Sequence, residues 1–432
     1  MSKVLPLLFI SIALMLNAGA QPKTDDQLRE ILSSANPEYR VLKQVLSDPA
    51  RYRLQLIYTR IDRDKRNRPQ FTHFYYHYDP ALYFNPASMV KLPVALLALE
   101  KINRLKNDAV LPVTTLQFDS AYERQVAAHT DSSSENGYPS IAHYIKRALL
   151  ISENDPYNRL YQFVGQQAIH RELWKKGYQS LRMPRQFMGF TPEQNRYANP
   201  FRFLDTNGKI LYQEPLRYNP DTIPYGEPIL IGKGFMRNGQ RINEPFDFTR
   251  QNFISLGDMQ QMLQSVLFPS SVKRKQRFNL TYNDYRFMQK YLSQYPSETM
   301  YPKYDSSQYY DSYVKFFFRK ENHGMPDSVR VFNKVGWAYG FLTDVSYVAD
   351  FRHKVEYMLS ATIYVNDDGI LNDNSYEYDS VGYPFLYQLG QAIYQHELTR
   401  TRTRIPDLSE LQITYDRRDP SDTRPQIRDA DN

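Results

Sequence analysis

The sequence predicts a mixed fold of the α/β (α+β) class, on three observations. β-rich runs stand near both ends, helical runs fill the middle, and one apolar helix, Leu92 to Glu100, follows directly on Ser88-Met89-Val90-Lys91. With 432 residues the chain is long enough for one or two cores. It has no cysteine, so neither disulfides nor a thiolate metal site stabilise it.

At the start, Met1-Ser2-Lys3 is basic, Val4 to Leu16 is an apolar run short for a bilayer, and Ala18-Gly19-Ala20 has the small-residue cleavage pattern. Residues 1–20 therefore read as a signal peptide cleaved near Ala20. Export to the periplasm or the exterior is expected, with no lipoprotein anchor and no transmembrane segment in the mature chain. The formal charge of +7 and pI near 9.1 would otherwise suggest nucleic acid, but export makes that a poor partner. The 36 tyrosines and 24 phenylalanines are spread through the whole chain and do not mark a binding face.

Asp25 to Leu46 reads as helix in two pieces, broken at Asn36-Pro37. Arg53 to Ile61 and Phe71 to His77 form a hairpin around the charged loop Asp62 to Arg68. His73 and His77, four apart on one strand face, would permit metal ligation, but no third ligand accompanies them and ordinary sheet histidines are the better reading. Ile141 to Leu150 is helical, and Asp155 is placed to cap a second helix whose first residue is Pro156.

Between Phe201 and Phe248, the turn signals Asp205-Thr206-Asn207-Gly208 and Arg237-Asn238-Gly239 separate β-rich runs, which reads as a small β insertion (about 201–248). Ser255-Leu256-Gly257-Asp258 is a capping box that opens a helix with Met259, Met262, Leu263, Val266 and Leu267 on one face. Another helix is expected from Tyr282 to Leu292, then a tyrosine-rich loop from Tyr301 to Tyr313. Three strands follow, Val329 to Lys334, Leu342 to Asp350 and Val355 to Tyr364, and a last helix, Phe385 to Glu397, should pack across them. From Thr399 the chain turns charged and poor in apolar residues, so 399–432 reads as a disordered tail.

Three short motifs carry chemistry. Ser88 and Lys91 share a helical face, and the start of a helix offers unpaired N–H groups and a positive dipole end where negative charge develops. Ser152-Glu153-Asn154 falls in the bend between two helices, where side chains can enter a cleft. Lys334-Val335-Gly336-Trp337 lies on a strand, and a lysine beside a glycine on a sheet edge suits an anionic substrate lying along that edge.

In this order the motifs resemble the S-x-x-K, S-D-N and K-T-G set of class A β-lactamases and penicillin-binding proteins. The resemblance spans about Tyr52 to Leu398. It implies one antiparallel sheet built from N- and C-terminal pieces with a helical subdomain (about 105–325) between them, all within a domain covering 21–398. It also implies a serine acyl hydrolase that opens β-lactam amides through an acyl-serine intermediate, with no cofactor and no metal. In the implied roles Ser88 is the nucleophile and Lys91, neutral beside the like charge of Lys334, is its base. Ser152 passes the proton to the leaving nitrogen. Asn154 and Lys334 hold the substrate, and the N–H groups of Ser88 and of Trp337, next to Gly336, form the oxyanion hole. Glu193, in Pro192-Glu193-Gln194-Asn195, is the residue the resemblance offers for activating the deacylating water.

Two departures bear on the substrate. Glu153 keeps the charge of the family's aspartate. Val335 lacks the hydroxyl that in the family helps hold a substrate carboxylate, a bond worth roughly 1.5–3 kcal/mol. A cell-wall D,D-peptidase or transpeptidase-like enzyme with slow deacylation, or a non-catalytic cell-wall-binding relative, are the alternatives.

Overall fold

The computed structural model describes residues 22–320 and 324–430. The leader expected at 1–20 lies outside the described residues. Among these residues no helix is long and apolar enough to cross a membrane.

The frame is a five-stranded sheet. Its strands are β1 (Gln55–Arg63), β2 (Pro69–Tyr76), β3 (Val329–Ala338), β4 (Phe341–Asp350) and β5 (Val355–Tyr364), in the order β3-β4-β5-β1-β2. Each neighbouring pair is antiparallel, with Lys334 opposite Val345 and Gln55 opposite Thr362. N- and C-terminal strands thus share one sheet, as the sequence led us to expect. β4 is buried at every position, which requires cover on both faces.

That cover is helical, and the two faces have separate cores. On one side lie α1 (Asp26–Ser33), α2 (Arg40–Ser47) and the final helix of the fold, α9 (Tyr383–Thr399 in chain order), with Leu28, Leu42, Phe385 and Leu389 sealed against Leu359 and Ile363. On the other side the helical region begins with α3 (Lys91–Leu105), which is buried almost all round: ten of its residues from Lys91 to Glu100 are inaccessible. Around it stand α4 (Ile141–Leu150), α5 (Asn154–Val164) and α6 (Gln166–Lys176), while α7 (Leu256–Leu267) and α8 (Tyr282–Ser293) close against the sheet. The stripe Met259, Met262, Leu263 and Val266 is fully buried there.

Local signals acted with small shifts. Ser255 caps α7 by accepting from the Asp258 N–H at 3.1 Å, whereas Thr281 and Asp284 form the reciprocal box at α8. Helix α5 starts at Asn154 with Glu153 as its N-cap, so Asp155 sits inside the first turn instead of capping. His77 lies past the end of β2 with φ 54°, so it does not share a strand face with His73, whose ring bonds Thr59 Oγ1 at 2.9 Å. Between Tyr197 and Asp247 eight short strands pair into small sheets, one of them joining Thr115–Phe118 to Phe201–Leu204 and Ile210–Glu214.

The C-terminal segment departs from expectation. Where disorder was expected, residues 400–430 run as an extended strap over the helical region. Leu408 and Leu411 are buried, the Tyr415 hydroxyl bonds Ser293 Oγ at 2.8 Å, and Asp416 accepts from Lys290 at 2.7 Å. Ile427 bridges to Tyr304, and the Ala430 N–H donates to the Tyr309 hydroxyl at 3.0 Å. Low hydrophobicity is a poor guide for a segment whose charges find partners on a surface already folded: Arg400 alone pairs with Asp62 and Glu397.

Candidate active site

A cleft of about 460 Å³ opens where the helical region meets the edge strand β3. Ser88, Ser152, Asn154 and Trp337 all line it, so three segments distant in sequence converge there.

Ser88 sits on a short 3-10 turn, Ala87–Val90, that leads into α3. Ahead of it, Asn85 Oδ1 accepts from the Ala87 N–H at 2.8 Å and Ala87 takes φ 41°, an uncommon conformation for a residue with a side chain. Ser88 itself stays half-buried while its neighbours are sealed, so its hydroxyl faces the cleft. Gly336 explains how β3 reaches this turn. A Cβ there would lie 2.3 Å from the Pro86 carbonyl oxygen and 3.1 Å from the Met89 nitrogen, both rigid backbone. Only glycine allows the strand so close. Gly336 thus contributes an approach distance and does not itself line the cleft; Trp337, one residue on, does. The Trp337 indole is set edge-on to Tyr313 and Phe316.

Lys91 is the hub. Nζ is fully buried and donates to Ser88 Oγ at 2.8 Å, to Asn154 Oδ1 at 2.9 Å, to Ser152 Oγ at 3.3 Å and to the Ser152 carbonyl. Ser152, held in the left-handed region at φ 71°, also receives Lys334 Nζ on its hydroxyl at 2.7 Å. Burial first, and the charge of Lys91 second, push Lys334 well below the usual lysine range. One hydroxyl between two lysines, with two positive charges disfavoured together, is an arrangement built to move a proton.

Glu153 faces away from the cleft. Its carboxylate is buried against Arg147, which also holds Asp131, and accepts from the Tyr304 hydroxyl. The longer acid in place of aspartate thus anchors the bend that presents Ser152 and Asn154.

Two expectations fail on geometry. Glu193 does not reach Ser88: its side chain is 53% exposed, lies 3.8 Å from Arg196, and lines a neighbouring depression instead of the cleft. Asn195 is spent on its own loop, accepting from the Gln186 N–H at 2.8 Å. What flanks Lys91 from this loop is an aromatic ring, Phe187, with its centroid 5.4 Å from Nζ. Among the described residues, no carboxylate lines the cleft. Val335 is likewise not a substrate contact. It is 1% exposed and packs in the core on the α9 side of the sheet, so its lack of a hydroxyl follows from an apolar setting. Sequence reasoning missed Asn85, Arg185, Phe187, Tyr309 and Tyr339, which line the cleft from loops without a motif.

Beneath Lys334 lies a second buried lysine. Lys315 donates to the carbonyls of Leu292 and Val331 and to Asn333 Oδ1, and Asn333 in turn donates to Asp344 at 2.9 Å. Burial lowers Lys315 to about 7 and raises Asp344 to about 6.

Among solved structures, the chain is similar to β-lactamases at low identity. One from Sphaerobacter thermophilus is 12% identical, with 83% of this chain and 97% of that one covered and a TM-score of 0.45. Another, from Burkholderia ambifaria, is 14% identical over 84% and 99%, TM-score 0.44; a third, from Xanthomonas campestris, is 12% identical over 82% and 98%, TM-score 0.43. No curated protein matches the sequence. The model of the β-lactamase enzyme family matches residues 66–396, a span that holds all three motifs. The chain belongs to that family and is a β-lactamase-like hydrolase.

Proposed function

We propose that the protein is an exported serine acyl hydrolase that attacks the amide of a β-lactam or a cell-wall peptide through Ser88, and that it releases the acyl group slowly. The observation that carries the reading is the Lys91 Nζ to Ser88 Oγ contact of 2.8 Å, continued through Ser152 to Lys334. In the acylation step Lys91, neutral, takes the Ser88 proton as Oγ bonds to the carbonyl carbon. The N–H groups of Ser88 and Trp337 stabilise the oxyanion, and the C–N bond breaks as Ser152 delivers its proton to nitrogen and receives in exchange the one Lys91 took from Ser88. Asn154 and Lys334 hold the substrate.

Slow release follows from the lining. Hydrolysis of the ester needs a base on the attacking water, and general-base assistance is typically worth 10²–10⁴-fold. Glu193 is turned away, and no other carboxylate stands in the cleft among the described residues. This favours a peptidase- or transpeptidase-like enzyme over a fast class A β-lactamase. The retained Ser88, Lys91, Ser152 and Lys334 argue against a purely binding role.

Incubation with a fluorescent penicillin, with intact mass and label half-life as readouts, is the test. A one-to-one adduct lasting minutes or longer is expected, and Ser88→Ala should abolish it without changing the circular dichroism. Rapid turnover with no detectable adduct would reinstate the β-lactamase reading, and no reaction at all would favour the binding one.

A further inference from the structure

The cleft does not end at its own wall. Arg185, Met188, Gly189 and Gln251 line both the cleft and a second depression of about 510 Å³, so the two adjoin across this shared rim. We propose that the second depression is an acyl-side subsite for an extended, anionic substituent, a chain that carries a carboxylate some atoms away from the scissile amide. The proposal rests on the acyl-serine reading above and adds the substrate class.

Its direction follows from the proton path. Ser152 and Lys334 serve the leaving nitrogen, so the leaving group lies at their end of the cleft. In the acyl-serine reading Asn154 holds the substrate amide on the acyl side, and Phe187, which lines the same cleft, belongs to the rim loop from Arg185 to Gly189. A substituent leaving the acyl half over that rim meets Arg185 first.

The charge there is uncompensated. The Arg185 guanidinium bonds only uncharged oxygens, Gln251 Oε1 at 2.7 Å and the Gln186 carbonyl at 3.4 Å. Arg250, on the far side, rests over the Tyr225 ring at 5.6 Å. Neither forms an ion pair among the described residues. The two acids in the depression have other cationic partners: Asp221 accepts from Arg171, and Glu193 lies beside Arg196, itself part of the lining. Phe190, Ile223 and Tyr225 supply an apolar wall along which a chain can lie. Two arginines without ion-pair partners, one at the shared rim and one within the apolar trough, suit a carboxylate.

The test uses two penicillins with the same nucleus, one with a hexanoyl and one with an adipoyl side chain, equal in length and different only in the terminal carboxylate. Second-order acylation rates are measured by intact mass for the wild type and for the double variant Arg185→Ala, Arg250→Ala. We expect the wild type to favour the adipoyl probe by about tenfold, the size of one charge-assisted hydrogen bond. That preference should shrink with salt and fall towards one in the double variant. A wild-type ratio near one, or a preference that survives both the double substitution and high salt, overturns the subsite while leaving the acyl-serine reading intact. Failure of both probes to acylate the wild type defeats the acyl-serine reading, and the subsite with it. Should the double variant react with neither probe, the wild-type salt dependence decides: a preference screened by salt supports the subsite, and one insensitive to salt overturns it.

Discussion

At the residue scale, the site depends on groups that act by position as much as by chemistry. Gly336 is the clearest case. Its Cα hydrogen faces the Pro86 carbonyl, so Gly336→Ala must push β3 away from the turn that carries Ser88. Misplacement of about 1 Å costs on the order of 10²-fold in rate, and penicillin labelling of this variant should slow by about that factor. Labelling at the wild-type rate would show that the approach of strand to turn does not matter. Glu193 is the converse case, a chemically suitable group in the wrong place. Because its carboxylate lies in the neighbouring depression, Glu193→Gln should leave the half-life of the acyl adduct unchanged within about twofold, against the 10²–10⁴-fold expected for a lost general base. A longer-lived adduct would return Glu193 to the mechanism.

At the element scale, the C-terminal strap and the bend between α4 and α5 form one unit. Ile427 pairs with Tyr304, Tyr304 donates to the buried Glu153 carboxylate, and Glu153 is the residue directly before the helix that begins at Asn154. A hydrogen bond to a buried charge contributes roughly 1.5–3 kcal/mol. Tyr304→Phe should therefore lower the urea-unfolding free energy by about that amount and slow acylation as well, because Ser152 and Asn154 flank the acid it releases. A stability loss under about 0.5 kcal/mol, the range of neutral surface changes, would mean that the strap lies on the surface without supporting the site.

At the scale of the whole molecule, the buried Asp344 links stability to pH. Burial holds its carboxyl at about 6 in the folded state, against about 3.9 in an unfolded chain. Between these values the folded state binds more protons, so the contribution of Asp344 is full below about pH 4 and is lost as pH rises through about 6. Asp344→Asn keeps an Oδ1 acceptor for Asn333 and Ser346, and its stability relative to wild type should rise from pH 4 to pH 7 in urea titrations. A difference that stays flat would place the Asp344 carboxyl in the ordinary range. The sequence by itself determined the mixed α/β class, most of the helices, the five strands of the main sheet and the three motifs, because periodicity, caps and turn residues act over a few neighbouring positions. Ser88-x-x-Lys91 was legible for the same reason: a spacing of three across one helical turn fixes a contact. Only the tertiary structure decided that Glu193 points away, that Val335 faces the far core, that Arg185 bridges two depressions, and that the charged tail is ordered. Each depends on which surface a loop or a strand face meets across the fold, and residues far apart in sequence acquire that relation only when the sheet and the helical region close on each other.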